Sequence, residues 1–454
     1  MSQSRDYDIA SAESIAEYAK ALHNKKLSDI VSLPENAYKS SNKGGLGSMV
    51  EEYFFEYKPG ANQNHDPDFT EAGVELKVTG VLRQTPTVIN PAPYKAKERL
   101  VLTMISYIAL ANEEWNASSF LKKCRTMLIL FYLYQKEVPI SELEFVLPPL
   151  LWEFTSKDLE IIEKDWRAIR QKVLDGKAHE ISEGDTFYLA ACRKGSGGAK
   201  EKLREQPYSH VPAKARAFSL KPTYVNTMIA SAWNQNIEDE LIRTEADAER
   251  GIEQVALGKF GNLRGLSVNE LAQIYGMQGQ NLRSKSYFYS LTMRILGSKK
   301  KYIPEFEKAG IVIKTIRLRQ NGTPKESMSF PAFKFQEIAE QEWEESELYD
   351  KLNQKFLFVI FRYDNEDVLR FEKVMFWNMP YADRESAYQA WDRTKQAIVE
   401  SRIERFPKIS NSPVIHVRPH GKNSDDVLPF PDGSLHTKQC FWLNAKYIAS
   451  QISP

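Results

Sequence analysis

A segment of eleven residues occurs twice in this chain, and that repetition limits the folds open to it more than any other feature. Pro67-Asp68-Phe69-x-x-Ala72-Gly73-Val74-Glu75-Leu76-Lys77 returns as Pro304-Glu305-Phe306-x-x-Ala309-Gly310-Ile311-Val312-Ile313-Lys314. Two more matches follow in the same order. Trp152 and Trp166 are spaced like Trp377 and Trp391, and Ala217-Phe218-Ser219-Leu220 is answered by Cys440-Phe441-Trp442-Leu443. The offsets are 237 (304 − 67), 225 (377 − 152) and 223 (440 − 217). Three ordered matches at nearly one offset mark a duplicated domain rather than chance. A chain of 454 residues is also longer than one core usually supports. The sequence therefore predicts two tandem mixed α/β domains, 1–233 and 251–454, joined by a charged linker over 234–250.

Composition narrows the function less than the repeat narrows the fold. With 61 Lys and Arg against 60 Asp and Glu, the chain cannot bind nucleic acid by bulk charge. A clustered basic surface on a neutral protein remains open. Cys124, Cys192 and Cys440 are far apart and form no C-x-x-C pair, so they read as free thiols of a reducing cytoplasm. The N-terminus has no apolar core of a signal peptide, and the longest apolar run, Met127 to Tyr134, is too short to span a bilayer. A cytoplasmic protein without membrane attachment is expected.

The first half carries the chemistry. Ala10 to Leu22 has helical spacing, and a glycine-rich turn, Lys43 to Gly47, precedes a second helix bearing Met49, Val50, Tyr53 and Phe54. After a polar loop over 58–67, Val74 to Val78 alternates as a half-buried strand with Glu75 and Lys77 on one face. Strands are predicted at Leu100 to Tyr107 and Met127 to Tyr134, and a helix at Lys157 to Val173. Hydrolysing a phosphodiester needs a hard cation and a positioned water. Asp68 and Glu75 are the candidate ligands for Mg2+, which takes one or two carboxylates and keeps several waters. Lys77 shares the face of Glu75 and can orient or activate the water; Glu51 can hold a lysine or a further water. Asp-x6-Glu-x-Lys after a proline is the P-D…(D/E)-x-K pattern of many nucleases. On its own it is weak, since Glu-x-Lys is common on solvated strands; the preceding Pro67 and the apolar partner face strengthen it.

The flanking residues resemble the MutH family of GATC-specific endonucleases. Lys43-Gly44-x-x-Gly47-x-x-x-Glu51 is similar to that family's loop and helix with a supporting acid, and Asp68-Phe69-x-x-x-Gly73-Val74-Glu75-Leu76-Lys77 to its metal-binding core. Trp115-x-x-Ser118, Lys123 and Arg125 resemble its next strand, and Leu151-Trp152, Asp165-Trp166, Gly176 and Phe218-x-Leu220-Lys221 continue the likeness. The resemblance covers most of residues 10–233. It implies a restriction-endonuclease-like PD-(D/E)xK fold, magnesium dependence, cleavage beside GATC and a second active-site lysine at Lys123. Lys43, Gly44, Arg193, Lys194, Ser219 and Lys221 then fall among the DNA-contacting positions. Cys192-Arg193-Lys194-Gly195 stands where the family has an Arg-Pro-Lys reading element, and Ser219 where it has a methylation-sensing tyrosine. A serine is too short to crowd an adenine methyl group, so cleavage of methylated and unmethylated GATC alike is expected.

The duplication points to the two-domain, Sau-type (type IIE) restriction enzymes of that family. In the second half Met293 stands for Glu51, Glu305 for Asp68 and Val312 for Glu75, and only Lys314 keeps its place. Valine cannot ligate a metal, so this copy should not cut. Arg418-Pro419-His420-Gly421 and Trp442 nevertheless resemble the reading element, which suggests an effector domain binding a second DNA site. The expected function is a type II restriction endonuclease breaking both strands at GATC. Its partner is double-stranded DNA, two sites per active complex, with DNA-induced dimerisation open. A methyltransferase of the same system implies no stable complex. A repair-type nickase and a non-catalytic DNA-binding regulator are the alternatives. No nucleotide cofactor is expected: Gly195 to Gly198 lacks the P-loop lysine. His416 and His420 read as solvent or DNA contacts rather than a zinc pair, Lys299 to Lys301 as a solvated turn, and the repeat tryptophans as core.

Overall fold

The computed structural model describes residues 6–34, 45–57, 66–87, 90–194, 203–233, 250–282, 284, 286–298 and 302–453. The proposed linker, apart from Arg250, lies outside the described residues, as do Lys43, Gly44, Gly195 to Gly198 and Lys299 to Lys301. The chain packs as two compact units: Met1–Ile181, Asp185–Asp239 and Glu307–Gly310 in the first; Ser182–Gly184, Glu240–Phe306 and Ile311–Pro454 in the second. Both are mixed α/β.

The first unit contains β1 (Val74–Arg83), β2 (Tyr94–Ala96), β3 (Leu100–Met104), β4 (Thr126–Leu133) and β5 (Leu150–Glu153). It continues with β6 (Leu189–Arg193), the hairpin β7 (Leu203–Gln206) and β8 (Ser209–Lys214), and β9 (Arg216–Leu220). One sheet has the order β2-β1-β4-β5, another β3-β9-β6. β1 and β4 run parallel, and β5 closes antiparallel on β4. A parallel strand covered on both faces carries a continuous apolar run rather than alternation, which is why Thr126–Leu133 is buried along almost its whole length. β1 is likewise more enclosed than the half-buried strand expected, because Glu75 on its polar face is only 2% exposed. Its apolar face, Val74 and Leu76, packs with Leu46, Met49, Val50, Phe54, Leu128 and Leu130. The strand predicted at 100–107 stops at Met104, because Ser106 caps a helix, Tyr107–Asn112, by accepting from the Ala109 N–H.

The second unit repeats this plan with β10 (Ile311–Leu318), β11 (Met328–Phe333), β12 (Lys355–Tyr363) and β13 (Leu369–Trp377). Then come β14 (Ile415–Pro419), β15 (Val427–Pro429), β16 (Leu435–Thr437) and β17 (Gln439–Leu443). Its sheets are β10-β12-β13 and β11-β17-β14. The strand registers match row by row. Glu75 lies opposite Met127, which faces Trp152; Val312 lies opposite Phe356, which faces Trp377. In the other sheet Cys192 pairs with Ala217, as Arg418 pairs with Cys440. Trp166 and Trp391 are each the eleventh residue of a 19-residue helix and nearly fully buried, as core tryptophans should be. Gly73 and Gly310, just before β1 and β10, both take positive φ, 67° and 64°, where a Cβ would be strained. The duplication is therefore one of backbone geometry as well as of letters.

Asp165, beside Trp166, ties the long helix of the first unit to β6. Its carboxylate accepts backbone N–H groups of Phe187 at 2.8 Å, Tyr188 at 2.6 Å and Leu189 at 2.9 Å. Burial pushes its pKa up to about 6, although the three N–H donors pull the other way. Asp165→Ala would leave three buried donors unsatisfied at about 1–3 kcal/mol each. We expect it to destabilise the protein by about 3 kcal/mol or more in urea unfolding; a loss below about 0.5 kcal/mol would show that β6 is held by something else.

Candidate active site

Asp68 sits in the turn before β1, and Glu75 and Lys77 project from one face of that strand. Lys123 arrives from the helix Ser119–Cys124, whose N-cap Ser118 accepts from the Leu121 N–H. The family likeness places it with the next strand; the helix carries it over the polar face of β1 instead. Glu51 lies in a π-helical turn, Val50–Phe54, that follows a short α-helix, Gly45–Met49. Such turns recur at functional sites because the extra residue re-aims side chains.

Two lysine side chains and one backbone N–H converge on the Glu75 carboxylate. Its Oε1 accepts from Lys77 Nζ at 2.7 Å. Its Oε2 accepts the Asp68 N–H at 3.2 Å and pairs with Lys123 Nζ at 3.1 Å. Asp68 Oδ2 accepts the Leu76 N–H at 3.0 Å, which folds the turn back against the strand. Lys77 Nζ also donates to the Leu102 carbonyl at 3.1 Å, and Lys123 Nζ to the Asp66 carbonyl at 3.2 Å. Asp66 pairs in turn with Lys122 at 2.6 Å. The sequence reading missed Leu102 and Asp66. Leu102 acts through a backbone carbonyl, which no side-chain pattern reveals; Asp66 had a visible signal as a second acid beside Pro67.

Crowding sets the electrostatics. Burial, then the carboxylates of Asp68 and Glu75, push Glu51 up to about 7; the two lysines oppose this. Burial, then Glu75, push Asp68 up to about 6. For Lys77 burial acts downward, but Glu75, Cys124 and Asp68 together outweigh it and the net shift is upward, so the ammonium stays charged. Cys124 is buried behind the lysines, and burial raises its thiol to about 12, so it is inert. All three cysteines are free and buried.

Asp68 and Glu75, with Glu51 nearby, form an all-oxygen set held together against its own repulsion, and such a set fits a hard cation such as magnesium. Among the described residues no group of three or more His, Cys, Asp or Glu is gathered tightly enough to cage an ion. Magnesium does not require one, because water and substrate oxygens complete its shell.

The expected DNA-contacting residues divide sharply. Lys194 is exposed and Arg193 partly so at the end of β6. Ser219 is fully buried in the middle strand β9, its hydroxyl 3.5 Å from the Ala190 carbonyl. Lys221 is 7% exposed and donates to the Thr186 carbonyl at 2.5 Å. Both are buried, against the expectation that they contact DNA, and Ser219 has no exposed side chain with which to meet an adenine methyl group. In the second unit Arg418, Pro419 and His420 are exposed. The Arg418 guanidinium lies 4.4 Å from the ring centre of Trp442, and His420 meets the same ring edge-on at 5.8 Å. His416 is buried instead, its Nδ1 2.5 Å from Asn444 Oδ1, so it is no solvent or DNA contact.

The comparisons with known proteins agree with this geometry. The family "DNA mismatch repair enzyme MutH" matches residues 55–165 and 296–388, one segment in each unit. The chain is similar to "Type II restriction enzyme Sau3AI" of Staphylococcus aureus, 35% identical, with 90% of this chain and 92% of that protein covered. It is also 25% identical to "DNA mismatch repair protein MutH" of Pectobacterium atrosepticum, over 49% of this chain and 90% of that one. The same-named protein of Yersinia enterocolitica is 25% identical over 41% of this chain and 77% of its own length.

The raised carboxyl groups have a consequence for stability. Between the ordinary carboxyl pKa and about 7 the folded chain keeps a proton on Glu51 that the unfolded chain has released. Stability therefore falls as pH rises through that window and stays lower above it. In chelator near pH 8, Glu51→Gln should raise the melting temperature by about 2–4 °C, the shift that about 1 kcal/mol produces in a domain of this size. Near about pH 5 the gain should shrink, since the wild-type group is already protonated. Equal gains at both pH values would show that the crowding is not electrostatic.

Proposed function

The chain belongs to the MutH-like family of site-specific deoxyribonucleases as a type II restriction endonuclease, and from that premise we propose that it cuts both strands of DNA at GATC, with magnesium, under the control of its second unit. The observation that carries this reading is the joining of Asp68, Glu75, Lys77 and Lys123 in one unit, set against Val312 at the place of Glu75 in the other. Asp68 and Glu75 would hold the cation. When bound, magnesium supplies charge neutralisation at the scissile phosphate and a more acidic water. Lys77 stays protonated beside Glu75, so its part is to donate to the attacking water or a phosphate oxygen rather than to remove a proton. Glu51 is poised near neutrality and suits a group that takes or passes on the proton of that water. The water oxygen bonds to phosphorus, the bond from phosphorus to the leaving sugar oxygen breaks, and that oxygen takes up a proton.

The reading element of the second unit supports an effector role. Arg418 is exposed and braced on Trp442, and an arginine suits guanine O6 and N7. In the first unit the corresponding strand positions are Cys192 and Ser219, both buried. Occupation of a second GATC site by this unit speeds cutting at the first only if it favours the active state.

Digestion of plasmid with magnesium and mapping of the ends tests the whole proposal; nicks alone, or ends away from GATC, would overturn it. Asp68→Ala and Glu75→Ala should each lower cleavage by about 10²-fold or more while DNA binding persists. Plasmids with two GATC sites should be cut faster per site than plasmids with one, and a short GATC duplex in trans should rescue the one-site substrate. Arg418→Ala should abolish both effects; equal per-site rates in the wild type would reduce the second unit to a clamp.

A further inference from the structure

The lysine pair of the active site is conserved in the duplicated unit without its carboxylate. Trp115-x-x-Ser118-x4-Lys123 is matched by Trp343-x-x-Ser346-x4-Lys351, a correspondence additional to the three that reveal the repeat. The local structures agree. A 3-10 turn, Trp115–Ala117 or Trp343–Glu345, leads to a serine N-cap and a six-residue helix, Ser119–Cys124 or Glu347–Leu352. Ser346 accepts from the Tyr349 N–H at 3.1 Å, as Ser118 does from the Leu121 N–H at 3.3 Å. The strand lysines correspond as well: Lys77 lies opposite Ile129, and Lys314 opposite Phe358, two rows along from Glu75 and Val312.

The electrostatics do not correspond. In the first unit both ammonium groups are neutralised by Glu75, at 2.7 and 3.1 Å. In the second unit, among the described residues, neither Lys314 nor Lys351 has an ion-pair partner. Among the described residues, burial and then the charge of Lys351 pull the pKa of Lys314 down. Glu305, at the place of Asp68, is buried. Two partly buried cations in the places of Lys77 and Lys123, without the carboxylate that joins that pair, are unfavourable unless an anion replaces it. The anion that the equivalent place in the first unit must approach is a phosphodiester.

We propose that Lys314 and Lys351 form a metal-free binding site for a backbone phosphate of a second DNA duplex. Loss of the carboxylate at 312 then does more than silence the copy. It turns a pair of lysines that serve a carboxylate and a cation into a site that takes the phosphate directly, so this unit grips DNA without metal and without cutting. The inference rests on the reading of the second unit as DNA-binding.

The test uses the full chain in chelator, where no cleavage occurs, and a short fluorescent GATC duplex followed by anisotropy over a range of salt. Lys314→Gln/Lys351→Gln should weaken binding and make the log–log salt dependence shallower by about 1, the loss of one phosphate contact. Melting in the absence of DNA checks that the double variant folds; should it fail, Lys351→Gln alone serves, with the same shallower slope expected. Unchanged affinity and slope, while Arg418→Ala weakens binding, would overturn the lysine site but leave the effector reading standing. Unchanged binding in both variants would overturn the effector reading itself and the lysine site with it. Melting with millimolar inorganic phosphate separates the sources. If the double variant loses only the phosphate response and keeps the full duplex response, the site takes free phosphate and the DNA assignment falls.

Discussion

The carboxylate of Glu75 is the contact on which the rest of the active site depends. It is nearly sealed from water, and each of its oxygens is occupied: one by Lys77, the other by Lys123 and the Asp68 N–H. Those bonds bring a strand, a helix and a turn to one point. A buried carboxylate without such donors would be costly, so the two lysines and the folded-back turn are needed for Glu75 to be there at all. Glu75 in turn holds Lys77 charged and raises the carboxyls of Asp68 and Glu51. Burial and this one carboxylate thus act together on the protonation of Glu51, Asp68 and Lys77.

The second unit is a natural comparison of the same backbone without that contact. Strand order, register, capping serine and both lysines persist, while Val312 stands in the row of Glu75. The fold does not need the carboxylate, because parallel pairing and the buried tryptophans hold the sheet. Only the site needs it. Duplication therefore leaves a scaffold that keeps its backbone plan and its lysines while it loses the carboxylate between them.

The strands that carry Cys192 and Arg418 diverge as well. Replacing Ser219 by Trp442 at the same register position places a large ring beside the strand that carries Arg418. Arg418 then lies against an aromatic face that restricts its guanidinium, and a restricted donor loses less freedom on binding. In the first unit the corresponding side chains are small and sealed inside the sheet. There the exposed basic groups, Lys194 and part of Arg193, sit at the strand's end instead.

Much of this was legible in the sequence. The duplication, the acidic pair beside Lys77, the valine at 312 and the core tryptophans follow from spacing and residue type. All four depend on the order of residues along the chain, which a chain displays whatever surrounds it. Tertiary structure alone decided which residues face inward. Ser219 and Lys221 look like surface contacts by type, yet lie inside the fold because β9 is a middle strand and Lys221 is needed by the Thr186 carbonyl. Lys123 is placed by resemblance with the next strand, yet a helix swings it over β1 to Glu75. The Leu102 carbonyl is invisible in any pattern of side chains. Sequence determined which charges the protein owns and which of them the second copy has lost. The packing of strands and helices decided which charges meet, since attraction between them depends on distance and burial and not on order along the chain.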